Sequence, residues 1–275
     1  MKILITGGQG YIGRNLTRLF KDNTSTDVFS PTKSYLDVLD FDKVKSYITA
    51  TSPDVIIHCA IRGGKSNQHD SVKDIADNIA MFDNIRRSTS NKTIVFILGS
   101  GAEFDRRFSI DCANEEDVNT KYPIDPYGLS KNIITRQALS YPNTYILRLF
   151  GCFNYDEEPF RFIKRSILNM INGASIEIRD NKYMDFFFMD DVYTVINSLI
   201  QHGGMSHINL TYPNKYSLLT IADMIVRISG RKTYPISVLS SGGISYTGDY
   251  TKLKSMGLDL IGLEEGIRRT YKALI

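Results

Sequence analysis

Through the first 150 residues, short apolar runs alternate with helix-length amphipathic stretches. The runs at Lys2 to Thr6, Asp27 to Ser30, Val55 to Cys59, Thr93 to Gly99 and Thr144 to Leu149 read as strands. They are nearly continuous in apolar character, as strands of a parallel sheet covered on both faces must be. Tyr11 to Phe20, Asp42 to Ala50, Val72 to Ser88 and Tyr127 to Ser140 carry helical patterning between them. Right-handed β-α-β crossovers then predict an α/β fold with a doubly wound parallel sheet. After Gly151 the segments become shorter and mixed. A helix is expected near Phe160 to Asn172, a strand at Ser175 to Arg179, and an apolar run at Phe186 to Met189 that opens a helix. A loop at Asn214 to Ser217 and helices at Ile221 to Ile228 and Leu263 to Ala273 follow. The expected division is a first domain of residues 1–150, to which 181–204 return, and a smaller mixed α/β C-terminal lobe from 151–180 and 205–275.

Composition narrows the class. The chain has 275 residues, 42% of them apolar, and a formal charge of +3 with basic and acidic residues interleaved. No block of like charge marks a nucleic-acid or membrane surface. No apolar stretch approaches the roughly 20 residues of a membrane span, and the N-terminal apolar run is too short for a signal peptide, so a cytoplasmic protein is expected. Cys59, Cys112 and Cys152 are widely spaced, without a Cys-x-x-Cys pair or a histidine at ligand spacing, so free thiols and no metal are expected.

The first chemical signal is Gly7-Gly8-Gln9-Gly10-Tyr11-Ile12-Gly13, lying directly between a buried strand and an amphipathic helix. Gly7 and Gly10 permit a tight turn and close backbone approach, and Gly13 lets helix and strand pack. The free N–H groups at the start of the helix, around Tyr11 and Ile12, face an anion. Strand, turn and helix together predict a dinucleotide pyrophosphate site. An acid ending the second strand would hold the adenosine ribose of NAD, but Ser30-Pro31-Thr32-Lys33 stands there. That segment suits a 2′-phosphate, with Lys33 and Arg14 as candidate cations, and it shifts the expectation to NADP, with NAD as the alternative. Asp37 is the one downstream acid that can reach the adenine edge.

The second signal is Tyr127 and Lys131, four residues apart on a helix that Asp125 caps and Pro126 opens. A phenol with a free pKa near about 10 needs a neighbouring cation to act at neutral pH, and Lys131 supplies one. Ser100 ends the strand Ile94 to Leu98 at the same crevice as the glycine turn, where its hydroxyl can hold the oxygen that Tyr127 protonates. Strand-end serine, tyrosine and lysine make a catalytic triad.

These motifs resemble the extended short-chain dehydrogenase/reductases, the NAD-dependent epimerase/dehydratase family, in its nucleotide-sugar branch. The resemblance rests on Gly7 to Gly13, His58-Cys59-Ala60, Asn78, Gly99-Ser100-Gly101, Tyr127-Gly128-Leu129-Ser130-Lys131, Leu147-Arg148-Leu149-Phe150-Gly151 and Asp185-Phe186-Phe187-Phe188-Met189-Asp190-Asp191. Ile61-Arg62-Gly63-Gly64 and Leu98-Gly99-Ser100 are most similar to the GDP-fucose synthase subgroup. The resemblance implies a Rossmann domain, a nicotinamide cofactor contacted also by Ala60 and Asn78, and hydride transfer at a sugar carbon, usually C4. It further implies a homodimer through the helices bearing Asn78 and Tyr127.

Departures from the family narrow the reaction. Dehydratases carry a glutamate two residues after the serine, where this chain has Ala102, and fucose synthases carry a cysteine there and a histidine in the lobe. Pro159 to Lys164 holds no histidine. Gly101, Ala102 and Glu103 are expected to border the substrate; Glu103 could replace the missing base, against the competing reading that a strand-end carboxylate caps a turn. What remains is reversible ketone reduction, by a 4-keto sugar reductase or a C4 dehydrogenase. A 4-epimerase and a non-catalytic NADP-binding protein are the alternatives. The lobe should hold a nucleotide-diphosphate sugar, with Arg161 and Lys164 as phosphate cations on one helix face. Met184 replaces an arginine usual in relatives. Asp190 and Asp191 read as helix caps, His202 and His207 as loop residues, and His58 as a packed strand-end residue.

Overall fold

The computed structural model describes residues 1–23, 25–64 and 70–275. In chain order the first part runs β1 (Lys2–Thr6), α1 (Tyr11–Asn23), β2 (Asp27–Phe29), α2 (Phe41–Thr51), β3 (Val55–His58), α3 (Val72–Ser88) and β4 (Ile94–Ser100). A 3₁₀ turn at Gly101–Phe104, β5 (Ile110–Ala113), a second 3₁₀ turn at Glu115–Asn119, α4 (Pro126–Ala138) and β6 (Thr144–Leu149) complete it. The remainder comprises β7 (Cys152–Phe153), α5 (Phe162–Ile171), β8 (Ile176–Asp180), β9 (Phe187–Phe188), α6 (Met189–His202), β10 (His207–Leu210), α7 (Leu218–Ile228), β11 (Ile236–Ser240), β12 (Tyr246–Gly248), α8 (Thr251–Ser255) and α9 (Leu263–Leu274).

Six strands form one parallel sheet in the order β10-β6-β4-β3-β1-β2, the doubly wound arrangement expected from the sequence. Successive side chains on each strand point to opposite faces, which sorts the core into two layers. Leu4, Ile56, Val95, Ile97 and Ile146 meet Val44, Ile48, Phe82, Ile85 and Ile134 of α2, α3 and α4 on one face. On the other, Ile3, Ile5, Ile57, Phe96 and Leu147 join Leu16 and Phe20 of α1 and Val192, Val195 and Ile196 of α6. The Phe20 and Tyr193 rings fix α6 on α1, edge to face at 4.9 Å. The same apolar cluster continues into the lobe through Ile163, Ile167, Ile221, Ile225 and Ile267.

One expected boundary needs correction. His207–Leu210, allotted from sequence to the lobe, is the sixth strand of the central sheet, paired with β6. Four residues without periodicity give no strand signal, but all four are buried, and the β6 edge would otherwise leave its backbone groups unpaired. His207 is therefore a strand residue and His202 the last residue of α6, not loop residues. α7 also starts three residues early, because the Ser217 hydroxyl accepts the Thr220 N–H at 3.1 Å and caps it. Among the described residues no helix is long and apolar enough to cross a membrane. Among the same described residues no group of histidine, cysteine or carboxylate side chains is arranged to hold a metal.

Candidate active site

β1, the glycine turn and α1 bring backbone to the mouth of a crevice of about 630 Å³. Gly7 has φ +67°, and a Cβ there would stand 2.6 Å from the Ala60 backbone nitrogen, so only glycine lets β1 and β3 close together at this point. A Cβ on Gly13 would stand 2.4 Å from the Gly7 carbonyl oxygen, which is why α1 can start directly over the turn. The resulting cradle has the shape and the free helix N–H groups that a pyrophosphate needs, and the residues present fit a dinucleotide.

Gly7, Gly10, Tyr11, Ile12, Gly13, Lys33, Asp37 and Ala60 all line this crevice. The other expected cofactor residues are placed differently. Arg14 turns away to Asp156, with Nε 2.6 Å from the carboxylate, because an acid at the start of the lobe offers a fixed partner that a solvent-facing guanidinium otherwise lacks. The Ser30 hydroxyl accepts from Thr17 at 3.2 Å beneath Gly8, and the Thr32 hydroxyl bonds Ser34 at 2.9 Å. Of the two expected cations, Lys33 therefore remains on this wall, 3.8 Å from Asp37. Asn78 is a brace and not a crevice residue: its amide takes the Arg62 N–H at 2.8 Å and donates to the Arg62 carbonyl and to Ser130, both at 3.0 Å. It ties the loop after β3 to α4.

A second crevice of about 570 Å³ opens on the lobe side. Tyr127, Ile12, Cys59, Ile61, Gly64 and Arg161 belong to both crevices, so the wall between them is the place where two ligands can meet. Ser100, Tyr127 and Lys131 come together in the second crevice, Ser100 from the C-terminal end of β4 and the other two from one face of α4. Asp125 starts that helix by accepting the Gly128 N–H at 2.8 Å. Gly64 must be glycine, since a Cβ would lie 2.6 Å from the Tyr127 ring.

Lys131 Nζ donates to the Leu98 carbonyl at 2.5 Å and stands 6.0 Å from the centre of the Tyr127 ring. Burial lowers Lys131 to about 8, although Glu103 and Cys59 oppose the fall. Burial is also the largest influence on Tyr127 and raises it, while the Ser100 hydroxyl, Arg106 and Arg161 pull it back. The phenol is thus a proton donor held among three polarising groups. His58 is buried against Thr6, 2.8 Å from its hydroxyl, and burial pushes it down to about 3, so it packs as a neutral strand-end residue.

The expected substrate residues divide. Arg161 lines the lobe-side crevice with Phe160. It is the residue before α5 and not within it, so Arg161 and Lys164 do not share a helix face. Lys164 lines neither crevice, and its ammonium donates to the Glu157 carbonyl at 2.7 Å. Gly101 and Ala102 are buried beneath the site. Glu103 is no substitute base. It is 0% exposed, takes the Ser100 N–H at 2.7 Å and pairs with the equally buried Arg148 at 2.6 Å. Both oxygens are committed, as the competing reading of a turn-capping carboxylate requires. Asp191 likewise takes the Ile261 and Gly262 N–H groups at 2.8 and 3.0 Å.

Sequence reasoning missed Arg106, Phe108, Lys182 and Tyr246, which line the lobe-side crevice. Arg106 is turned by Asp125 at 2.6 Å, and Tyr246 sits on a three-residue strand, too short for any periodic signal.

A GDP-L-fucose synthase from Azorhizobium caulinodans is 26% identical over all of this chain and 96% of its own. A GDP-L-colitose synthase from Yersinia pseudotuberculosis is 29% identical over 98% of this chain and 96% of its own. The solved GDP-mannoheptose C4 reductase from Campylobacter jejuni, with NADP bound, superimposes with a TM-score of 0.80 at 18% identity over 99% of this chain and 98% of its own. The model of the NAD dependent epimerase/dehydratase family matches residues 3–211, and the chain belongs to that family.

Proposed function

We propose that the protein moves a hydride between NADP and C4 of a nucleotide-activated sugar, working as a 4-keto sugar reductase or a C4 dehydrogenase. The carrying observation is that Ser100, Tyr127 and Lys131 line the lobe-side crevice together and that Tyr127 also lines the crevice of the glycine turn. Ala102 has no ionisable group, and Glu103 is locked to Arg148. Proton removal next to the ketone, which elimination or 3,5-epimerisation needs, is therefore not supplied by either of these two positions.

A bound dihydronicotinamide would supply the hydride to the carbonyl carbon. Tyr127 gives its proton to the carbonyl oxygen and takes it back in the reverse direction, while Ser100 holds that oxygen in line. Lys131 keeps a positive charge behind the phenol where negative charge develops. On the lobe side Arg161, Arg106 and Lys182 offer cations to a nucleotide diphosphate. NADP is favoured over NAD by the absence of a carboxylate at the end of β2 and by Lys33 on the adenosine wall. A homodimer through the neighbouring helices α3 and α4 belongs to the same reading, and light scattering decides it.

Incubation with 4-keto and 4-hydroxy nucleotide sugars, followed by the absorbance of reduced cofactor, tests the proposal. Stoichiometric cofactor consumption supports it. Interconversion of C4 epimers without net consumption replaces it with a 4-epimerase, and no turnover on any nucleotide sugar overturns it.

A further inference from the structure

The first turn of α1 forms the anion cradle, and one side of the same helix grips the lobe. Tyr11, Arg14, Asn15 and Arg18 stand at helical spacing on one face, and all four meet the segment between β7 and α5. The Tyr11 hydroxyl donates to Asn154 Oδ1 at 3.1 Å, and the Asn154 amide donates to Asn15 Oδ1 at 2.9 Å. The Asn15 amide reaches the Asp156 carboxylate, also at 2.9 Å. Arg14 makes the outer tie, with Nε 2.6 Å from that carboxylate and Nη2 2.8 Å from the Asp156 carbonyl. The Arg18 guanidinium lies 5.9 Å from the centre of the Tyr155 ring. Asn15 and Asn154 are buried, so the inner bonds of this fastening are closed to water.

The strap held in this way, residues 154–161, leads to the charged residues of the shared wall. Glu158 and Arg161 line both crevices. Arg161 rides on the strap: its backbone N–H donates to the Glu158 carbonyl at 3.0 Å, and its guanidinium lies 3.2 and 4.0 Å from carboxyl oxygens of Glu157 and Glu158. The place of Arg161 over the crevices is thus set from one side by α5, which begins at the next residue, and from the other by the fastening to α1. Arg14 itself lines neither crevice. Its fork is engaged by the carboxylate and the carbonyl of one residue, an arrangement that a planar guanidinium makes and a lysine point charge does not.

We propose that Arg14 and Asp156 are positioning residues for the nucleotide sugar: they fasten the strap to the cofactor helix and so place Arg161 in advance for the phosphates of that substrate. The inference rests on the reading of the lobe-side crevice given above. Arg14 belongs to the cofactor motif by sequence and to the substrate by action. A strap left loose would have to be ordered at the moment of binding, and that ordering weakens affinity for the ligand that needs it. The cofactor keeps the backbone N–H groups of the glycine turn and Lys33, neither of which depends on Asp156.

The test is R14A, R14K and D156A in the full chain, at a half-exposed pair whose loss the fold should tolerate. Calorimetry gives Kd for NADP⁺ and then, at saturating NADP⁺, for GDP, UDP and dTDP as probes. All three variants should bind NADP⁺ within about twofold of wild type and weaken the nucleoside diphosphate that wild type binds by about five- to tenfold. R14K should lose as much as R14A, because it keeps the charge without the fork. R14A/D156A should be no worse than D156A, since both act through one contact. In turnover, KM for the nucleotide sugar should rise by the same factor with kcat within about twofold. A tie serving stability alone would lower the melting temperature and leave Kd, measured well below it, unmoved.

Two results overturn the proposal: nucleoside diphosphate affinity unchanged in R14A and D156A, or NADP⁺ weakened in R14A and normal in R14K, which returns Arg14 to the cofactor's 2′-phosphate. The titrations need no turnover, so they separate this inference from the reaction. Wild type that binds a nucleoside diphosphate and reduces no 4-keto sugar refutes the reaction, and the Kd values still decide the role of Arg14 and Asp156. Wild type that binds none of the three probes overturns both.

Discussion

Glu103 distinguishes a structural carboxylate from a catalytic one, and the two roles predict different damage. The pair Glu103–Arg148 is 0% exposed on both sides, so E103A leaves a guanidinium buried over the Phe104 ring with the Asn209 side-chain oxygen and His207 as polar neighbours. Breaking a buried pair from one side costs about 3–5 kcal/mol. Releasing the Ser100 N–H from its acceptor adds about 1–3 kcal/mol. At about 2–4 °C per kcal/mol for a chain of this size, melting should fall by roughly 10 °C or more. Replacing both partners, as E103L/R148M, should recover most of that loss, because two apolar side chains of similar volume need no solvation. The assay is thermal unfolding of the three proteins, with kcat measured well below each midpoint. A proton-transfer residue would cost about 10²–10⁴ in kcat whatever the stability. Melting unchanged in E103A with turnover lost by more than about a hundredfold would refute the structural assignment.

Further outcomes follow from the same geometry. Y127F should bind NADP as wild type does and lose about 10²–10⁴ in turnover, checked by cofactor titration and steady-state kinetics. K33A should weaken NADP about tenfold and NAD hardly at all, since Lys33 lines the crevice beside Asp37 and a charge-assisted contact is worth about 1.5–3 kcal/mol. Lys131, lowered to about 8 by burial, is an ammonium below that pH, so kcat/KM in the reducing direction should decline above it, and a profile flat through that pH contradicts this. Glu157 is raised by burial from 4.5 to about 8, so the folded chain holds a proton there that the unfolded chain releases. Its contribution to stability is present below about 4.5 and is lost as pH rises to about 8, and thermal melts of E157Q should lack that loss.

The parallel sheet was legible because its strands are continuous apolar runs separated by helices long enough to show their period. The glycine turn was legible for a related reason, since Gly7 and Gly13 are demanded by backbone geometry that no other residue satisfies. Arg14, Lys164 and Glu103 were misplaced because sequence reports charge but not partner. Asp156 and the Glu157 carbonyl capture the first two, and Arg148 captures the third. Tyr246 was invisible for a topological reason. It reaches the lobe-side crevice because β12 pairs with β5 across more than a hundred residues of chain.

The central claim is hydride transfer without a second base, and it is tested most directly with a 4-keto nucleotide sugar and reduced NADP in deuterated water. The account predicts one cofactor oxidised per C4 alcohol formed and no deuterium on the ring carbons beside C4. Deuterium at C3 or C5, or a product formed without cofactor oxidation, would contradict it.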